Sequence, residues 1–233
     1  MELSKDDRFS ALPLPEHLLE PPAGRALCFA PHPDDECFGP GGALCMHRDR
    51  GEPVRIVIAT DGAAGDPDAK YDPATYGASR RSESRRAMAQ LGCEDIEFWG
   101  FRDSCVITDS DIEGIALRVQ AECQSFRPDV VYAPWEGEAN GDHRAIYCGT
   151  LRGLRKAGFQ GVAFGYELWG LMVPDVVLNI TPVAERKFTA MSEFQTQLAY
   201  CDYVRVIRGQ NTHRSILCNR GKGFAEVYRR IVV

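Results

Sequence analysis

The sequence predicts an α/β protein with a Rossmann-like, mostly parallel, doubly wound sheet and helices on both faces. Short apolar runs bounded by turn residues recur along the chain, and segments with helical periodicity alternate with them. Two of the apolar runs are followed by loops that hold nearly all the metal-competent residues. Strands and helices alternating at this spacing read as βαβ units, whose right-handed crossovers cover both sides of a parallel sheet.

Residues 1–24 hold Pro13, Pro15, Pro21 and Pro22 and are expected as an extended N-terminal arm, with residues 25–233 as a single domain. Residues 26–30 (ALCFA) and 55–60 (RIVIAT) are continuous apolar runs, as expected of strands buried on both faces. Residues 41–50 between them read as a helix. The alternation continues with a helix over 79–91, a strand over 95–99, a helix over 111–126, a strand over 129–133 (DVVYA) and a helix from 143 to 157. Residues 161–167 and 173–180 predict two more strands, 182–197 a helix, and 224–230 (FAEVYRR) a last helix.

With 233 residues, 44% hydrophobic and 26% charged, the chain has the composition of a globular domain able to bury a sizeable core. Its net charge of −6 gives no cationic field for nucleic acid or anionic lipid. No stretch approaches 18 uninterrupted apolar residues, so no transmembrane segment is expected, and Lys5, Asp6, Asp7 and Arg8 interrupt any apolar leader. Nine cysteines with no C-x-x-C pair fit free thiols in a reducing compartment, and the cytoplasm is the expected location.

In a doubly wound sheet, ligands bind beyond the carboxyl ends of the strands. Two loops qualify. The first, Ala30-Pro31-His32-Pro33-Asp34-Asp35-Glu36, sets an imidazole beside three consecutive acids, which repel one another unless a cation compensates them. A solvated acidic turn or helix cap would use the same residue types. The second, Asn140-Gly141-Asp142-His143-Arg144-Ala145, offers another imidazole with an acid beside it. Two imidazoles and one carboxylate suit catalytic zinc, since three protein ligands leave a position for water; ferrous iron accepts the same set. His17, His47 and His213 are weaker candidates, in the arm, late on a polar helix and in a polar C-terminal stretch respectively.

The strand followed by A-P-H-P-D-D-E, together with the later D-H-R-A, resembles the LmbE/PIG-L-type de-N-acetylases. Thr60-Asp61-Gly62, Arg80-x-x-Glu83 with Leu91-Gly92, and Gly100-Phe101-Arg102-Asp103 fall where that family has similar segments. The resemblance implies a metal-dependent hydrolase that removes acetyl from an N-acetylglucosaminyl or related amino-sugar conjugate. It implies one divalent metal, zinc or else ferrous iron, on His32, Asp35 and His143, with Asp34 as general base. Asn140 and Asp142 count with the catalytic residues, and Arg80 and Asp103 are expected to contact substrate. Many family members have a histidine where this chain has Asn140, and asparagine can donate a hydrogen bond but no proton. The expected partner is a small-molecule amino-sugar conjugate, and self-association into a homo-oligomer is left open.

Two other readings compete. A metal-containing carbohydrate-binding protein without turnover would explain the missing histidine, though it has no need of Asp34. A nucleotide-binding domain is suggested by Gly39-Pro40-Gly41-Gly42, but these glycines do not make G-x-G-x-x-G and follow an acidic loop.

Overall fold

A strand without polar alternation has to be covered on both faces, and the run at 26–30 is used in that way. The computed structural model describes residues 14–104 and 108–233. Its elements are β1 (Glu16–Leu18), β2 (Ala26–Ala30), α1 (Asp35–Phe38), α2 (Gly41–Asp49), β3 (Val54–Thr60), α3 (Pro73–Gln90), β4 (Asp95–Phe101), α4 (Asp109–Phe126) and β5 (Val130–Pro134). They continue with α5 (Gly141–Ala157), β6 (Val162–Tyr166), β7 (Val176–Asn179), α6 (Ala184–Met191), α7 (Gln195–Leu198), α8 (Tyr203–Arg214), α9 (Ile216–Asn219) and β8 (Ala225–Arg230). The sheet order is β1-β7-β8-β6-β5-β2-β3-β4, parallel except for β8, which runs antiparallel to both neighbours.

Along β2, Ala26, Cys28 and Ala30 face a core built with Leu44, Met46, Met88 and Phe188, from α2, α3 and α6. Leu27 and Phe29 face the opposite core with Ile115, Val119, Ile146 and Leu154, from α4 and α5. The two-residue period of the strand thus feeds two helical layers, which is the expected doubly wound arrangement. Among the described residues, no helix is long and apolar enough to cross a membrane.

Several expectations are corrected. Residues 224–230 are not helical: β8 inserts between β6 and β7, with Ala225 and Val227 buried on one face. The acidic Glu226 misleads a pattern reading because it is buried and fully partnered. Residues 1–13 of the expected arm lie outside the described residues, while Glu16–Leu18 adds an edge strand beside β7. The helix expected over 182–197 is interrupted after Met191, and the bend lets Thr196 donate to Glu83 from both its N–H and its hydroxyl. The helix expected from 79 starts at Pro73, where the Asp72 side chain caps it by accepting from the Ala74 N–H.

Glu226 also accounts for the glycine run at 39–42. Its carboxylate accepts the Gly42 N–H at 2.7 Å and the Ala43 N–H at 3.0 Å, so the amino end of α2 already holds an anion from its own chain. A Cβ on Gly42 would lie 2.7 Å from that carboxylate. This leaves the nucleotide-binding reading without a phosphate site. Lys187, fully buried on α6, completes the pair by donating to Glu226 Oε1 at 2.7 Å and to the Gly39 carbonyl at 2.9 Å.

Removing one partner of a buried ion pair strands the other charge, at about 3–5 kcal/mol. Lys187→Met should therefore lower the thermal midpoint by on the order of 10 °C, measured by circular dichroism. A midpoint within a degree or two of the unsubstituted protein would show that the pair does not hold β8 to α2.

Candidate metal and catalytic site

β2 and β5 are parallel neighbours, with Ala26 opposite Val130 and Cys28 opposite Tyr132. Their exit loops therefore meet at the reversal of strand order, which is where doubly wound sheets hold ligands. After β2, the Pro31 carbonyl accepts the Thr60 N–H at 2.9 Å, and the Asp34 carbonyl accepts the Cys37 and Phe38 N–H groups as α1 begins. After β5, Asn140 caps α5, its Oδ1 accepting the N–H groups of Asp142 at 2.8 Å and His143 at 3.4 Å. The cap fixes where His143 leaves the helix.

The two loops converge on one oxygen. Asp35 Oδ2 accepts the His32 backbone N–H at 3.0 Å, stands 3.0 Å from His32 Nδ1, and lies 3.2 Å from His143 Nε2. The two imidazole rings are 5.3 Å apart between centroids. Asp35 and His143 are almost wholly enclosed.

These residues fit a divalent metal on three counts. Ligand atoms about 2.0–2.2 Å from a tetrahedral ion stand about 3.3 Å from one another, close to the separations at Asp35 Oδ2. The site draws positive charge: burial lowers the pKa of His143, but the carboxylates of Asp35 and Glu138 together raise it to about 9. Burial pushes the Asp35 carboxyl up, but the charges and hydrogen bonds of His143 and His32 together hold it below its ordinary range. Finally, His143 Nδ1 is buried without a hydrogen bond, 3.4 Å from Glu138 Oε2 and outside bonding geometry. A carboxylate behind the far nitrogen is the usual way to orient a metal-binding imidazole.

Asp34 has φ of +152°, a conformation that side-chain-bearing residues rarely adopt and that is concentrated at functional sites. Its Oδ2 accepts from Arg80 Nη2 at 3.0 Å. Burial pushes its carboxyl up to about 7, with the Arg80 guanidinium working against the rise. Glu36 braces the strained turn from below, accepting the Asp34 N–H at 2.9 Å and the Ser84 hydroxyl. Burial raises Glu36 to about 8, against the Ser84 hydrogen bond.

The structure brings together all the residues expected at the site, but it gives two of them different contacts. Arg80 is buried, and its terminal nitrogens donate to the carbonyls of Gly62 at 2.8 Å and Pro33 at 2.9 Å and to Asp34. It positions the Asp34 loop. Asp103 puts Oδ1 3.2 Å from His32 Nε2 and uses Oδ2 to accept the Ala64 N–H at 3.0 Å. Asp142 Oδ2 lies 3.3 Å from the same His32 nitrogen and accepts the Ser104 N–H at 2.9 Å. Burial would lower the pKa of His32, but hydrogen bonds to Asp103, Asp142 and Asp35 raise it.

His213, exposed in the last turn of α8, does not line the cleft, and His47 is buried elsewhere against Glu52 and Tyr132. Sequence reasoning missed Glu138, Trp169, Gln197 and Tyr203. Only Glu138 left a trace, as an acid in the loop before His143.

The model of the family PIG-L: GlcNAc-PI de-N-acetylase matches residues 27–152, more than half of the chain and inclusive of both loops. The chain belongs to this family. This PIG-L chain is 27% identical over 183 residues to the probable N-acetyl-alpha-D-glucosaminyl L-malate deacetylase 2 of Bacillus cereus, covering 73% of this chain and 82% of that one. Among solved structures, N,N'-diacetylchitobiose deacetylase from Pyrococcus horikoshii superposes with a TM-score of 0.75 at 22% identity, covering 89% of this chain and 84% of that one. The 4-carboxy-2-hydroxymuconate hydratase of Pseudomonas putida has the same fold, with a TM-score of 0.74 at 21% identity, covering 90% of this chain and 97% of that one. Structural likeness at such identities establishes the fold of this PIG-L chain; the chemistry has to be argued from its site.

If Glu138 orients His143, Glu138→Gln should weaken zinc binding about 10- to 100-fold while leaving the far-UV spectrum intact. Competition against a chromogenic chelator measures this, and an unchanged affinity would remove Glu138 from the metal site.

Proposed function

We propose that this PIG-L-family chain is a metal-dependent hydrolase that removes the N-acetyl group from an N-acetylglucosaminyl or related amino-sugar conjugate. One observation carries the reading: Asp35 Oδ2 stands 3.0 Å from His32 Nδ1 and 3.2 Å from His143 Nε2, with the strained Asp34 beside it on the same cleft. Two imidazoles and one carboxylate suit zinc, and ferrous iron accepts the same donors. When bound, such a metal brings the pKa of a coordinated water to about 7 and polarises the amide carbonyl.

The chain's own residues handle the protons and the developing charge. Asp34, steadied through Oδ2 by Arg80, takes the proton that the attacking water loses. Asn140 has spent its Oδ1 on the helix cap, so its amide N–H group remains to donate to the carbonyl oxygen as negative charge builds there. Asp34 then returns the proton to nitrogen as the C–N bond breaks, and acetate and a free amine leave.

A carbohydrate-binding protein without turnover would gain nothing from Asp34, whose backbone conformation costs about 1–3 kcal/mol. The cytoplasm remains the proposed location, since all eight described cysteines are free. The proposed partner is a small molecule.

Acetate release from metal-loaded protein, across N-acetylglucosamine linked to lipid, inositol, malate, oligosaccharide and antibiotic cores, tests the activity; silence across the panel would end this reading. Asp34→Asn should keep its metal and lose turnover by about 10²–10⁴-fold, and an active variant would refute the base. His143→Ala should lose metal and turnover together. Chelation should abolish activity and zinc or ferrous iron restore it, with elemental analysis identifying the native ion.

A further inference from the structure

The cleft above Asp35 has a volume of about 190 Å³, below the roughly 300 Å³ at which pockets begin to enclose a drug-sized ligand. A cleft of this size leaves the group attached to a bound sugar to lie over its rim. Trp169, between β6 and β7, stands on this rim with Tyr203 from the start of α8.

Trp169 is 40% exposed, and Leu171 two residues on is 78% exposed, so the loop presents apolar surface beside a polar cleft. The indole is nevertheless braced. It meets Phe38 edge-on at 6.4 Å and lies tilted against Tyr203 at 5.4 Å. Its backbone is clamped by Glu138 Oε1, which accepts the N–H groups of Leu168 at 3.0 Å, Trp169 at 3.2 Å and Gly170 at 3.3 Å. The same carboxylate stands behind His143, so the rim and the metal-competent site share one support. A rigid, half-exposed aromatic side chain gives large contact area at little cost in conformational entropy.

The charges at the rim narrow the ligand. Among the described residues lining the cleft, Arg80 is the one permanent cation, and both its terminal nitrogens are committed. On the described lining an anionic attached group would face Asp34 and Asp103, while the guanidinium keeps only its buried Nε–H without a partner.

We infer that Trp169 is the platform on which the group attached to the acetamido sugar stacks, and that this group is a neutral ring with an apolar C–H face, such as a second pyranose. The inference rests on the deacetylase reading and names the part of the substrate that reading leaves open. The sugar's C–H face lies on the indole, while its hydroxyls stay in water or reach Gln197 on the same cleft.

The test measures acetate release by unsubstituted protein, Trp169→Phe and Trp169→Ala from four substrates: N-acetylglucosamine, its β-linked disaccharide, its malate conjugate and its octyl glycoside. The unsubstituted protein should prefer the disaccharide to the monosaccharide in kcat/KM. Trp169→Ala should narrow that ratio about tenfold, through KM, and Trp169→Phe should restore part of it. A ratio that Trp169→Ala leaves unmoved overturns the platform. So does a preference for the malate conjugate or the octyl glycoside that depends on Trp169, since the occupant would then be an anion or an alkyl chain. If Trp169→Ala fails to fold, Trp169→Leu takes its place. If the unsubstituted protein releases acetate from nothing, the deacetylase reading fails by itself. Calorimetry of the disaccharide on zinc-loaded protein then decides the platform: weaker binding by Trp169→Leu supports it, and equal or absent binding overturns it.

Discussion

Six carboxyl groups, those of Asp34, Asp35, Glu36, Asp103, Glu138 and Asp142, are buried around two imidazoles and one guanidinium. A buried carboxylate without compensation is too costly to persist, and each of the six is offset differently. Arg80 faces Asp34, His143 faces Asp35, and His32 stands between Asp103 and Asp142. Three backbone N–H groups and the Trp135 indole satisfy Glu138. Glu36 is raised toward its protonated form by burial. The remaining demand for positive charge concentrates at Asp35, where two imidazole nitrogens already converge, and a divalent cation is the economical answer to it.

Sheet topology is what allows this concentration. β2 and β5 lie side by side although about 100 residues separate them in sequence, so two short loops supply donors from opposite directions without a long excursion of either. The other anion-seeking feature at this edge, the amino end of α2, is filled by Glu226 from β8 with Lys187 beneath it. The fold thereby spends its helix N-terminus on structure and keeps its ligand chemistry for the neighbouring loops.

What could be read in the sequence follows from the range of the interactions involved. The apolar runs and the H-P-D-D-E and D-H segments are local patterns, and each reports a strand or a charged loop without knowledge of its neighbours. Their meeting follows once a parallel sheet is assumed, since ligand sites then fall at strand ends. Arg80, Glu138 and Glu226 could not be placed in this way. Arg80 reads as one of several arginines on a helix and is instead drawn inward by two carbonyls and Asp34. Glu226 made a buried strand look like a helix, because its compensation comes from Lys187 and two glycine-adjacent N–H groups far away in sequence. Nothing local distinguishes such an acid from a solvated one. The same holds for Trp169, whose place at the cleft depends on Glu138 clamping the backbone around it.

The proton balance of the proposed reaction turns on Asn140. A histidine there could both stabilise the oxyanion and protonate the amine, whereas asparagine offers only the first. Its Oδ1 is bound to the backbone of α5, which commits the group further to donation. The proton must then come from a carboxyl that lines the cleft. Asp35 is committed to the two imidazoles, and Asp103 divides its oxygens between His32 and the Ala64 N–H. Asp34 is tied to Arg80 through one oxygen and stands next to Asp35 on a backbone held in an otherwise unfavourable conformation. In the proposed reaction it is the group that receives a proton in the first half and delivers it in the second. A single carboxylate that shuttles one proton needs no partner acid, and this makes Asn140 compatible with turnover rather than a sign of its loss.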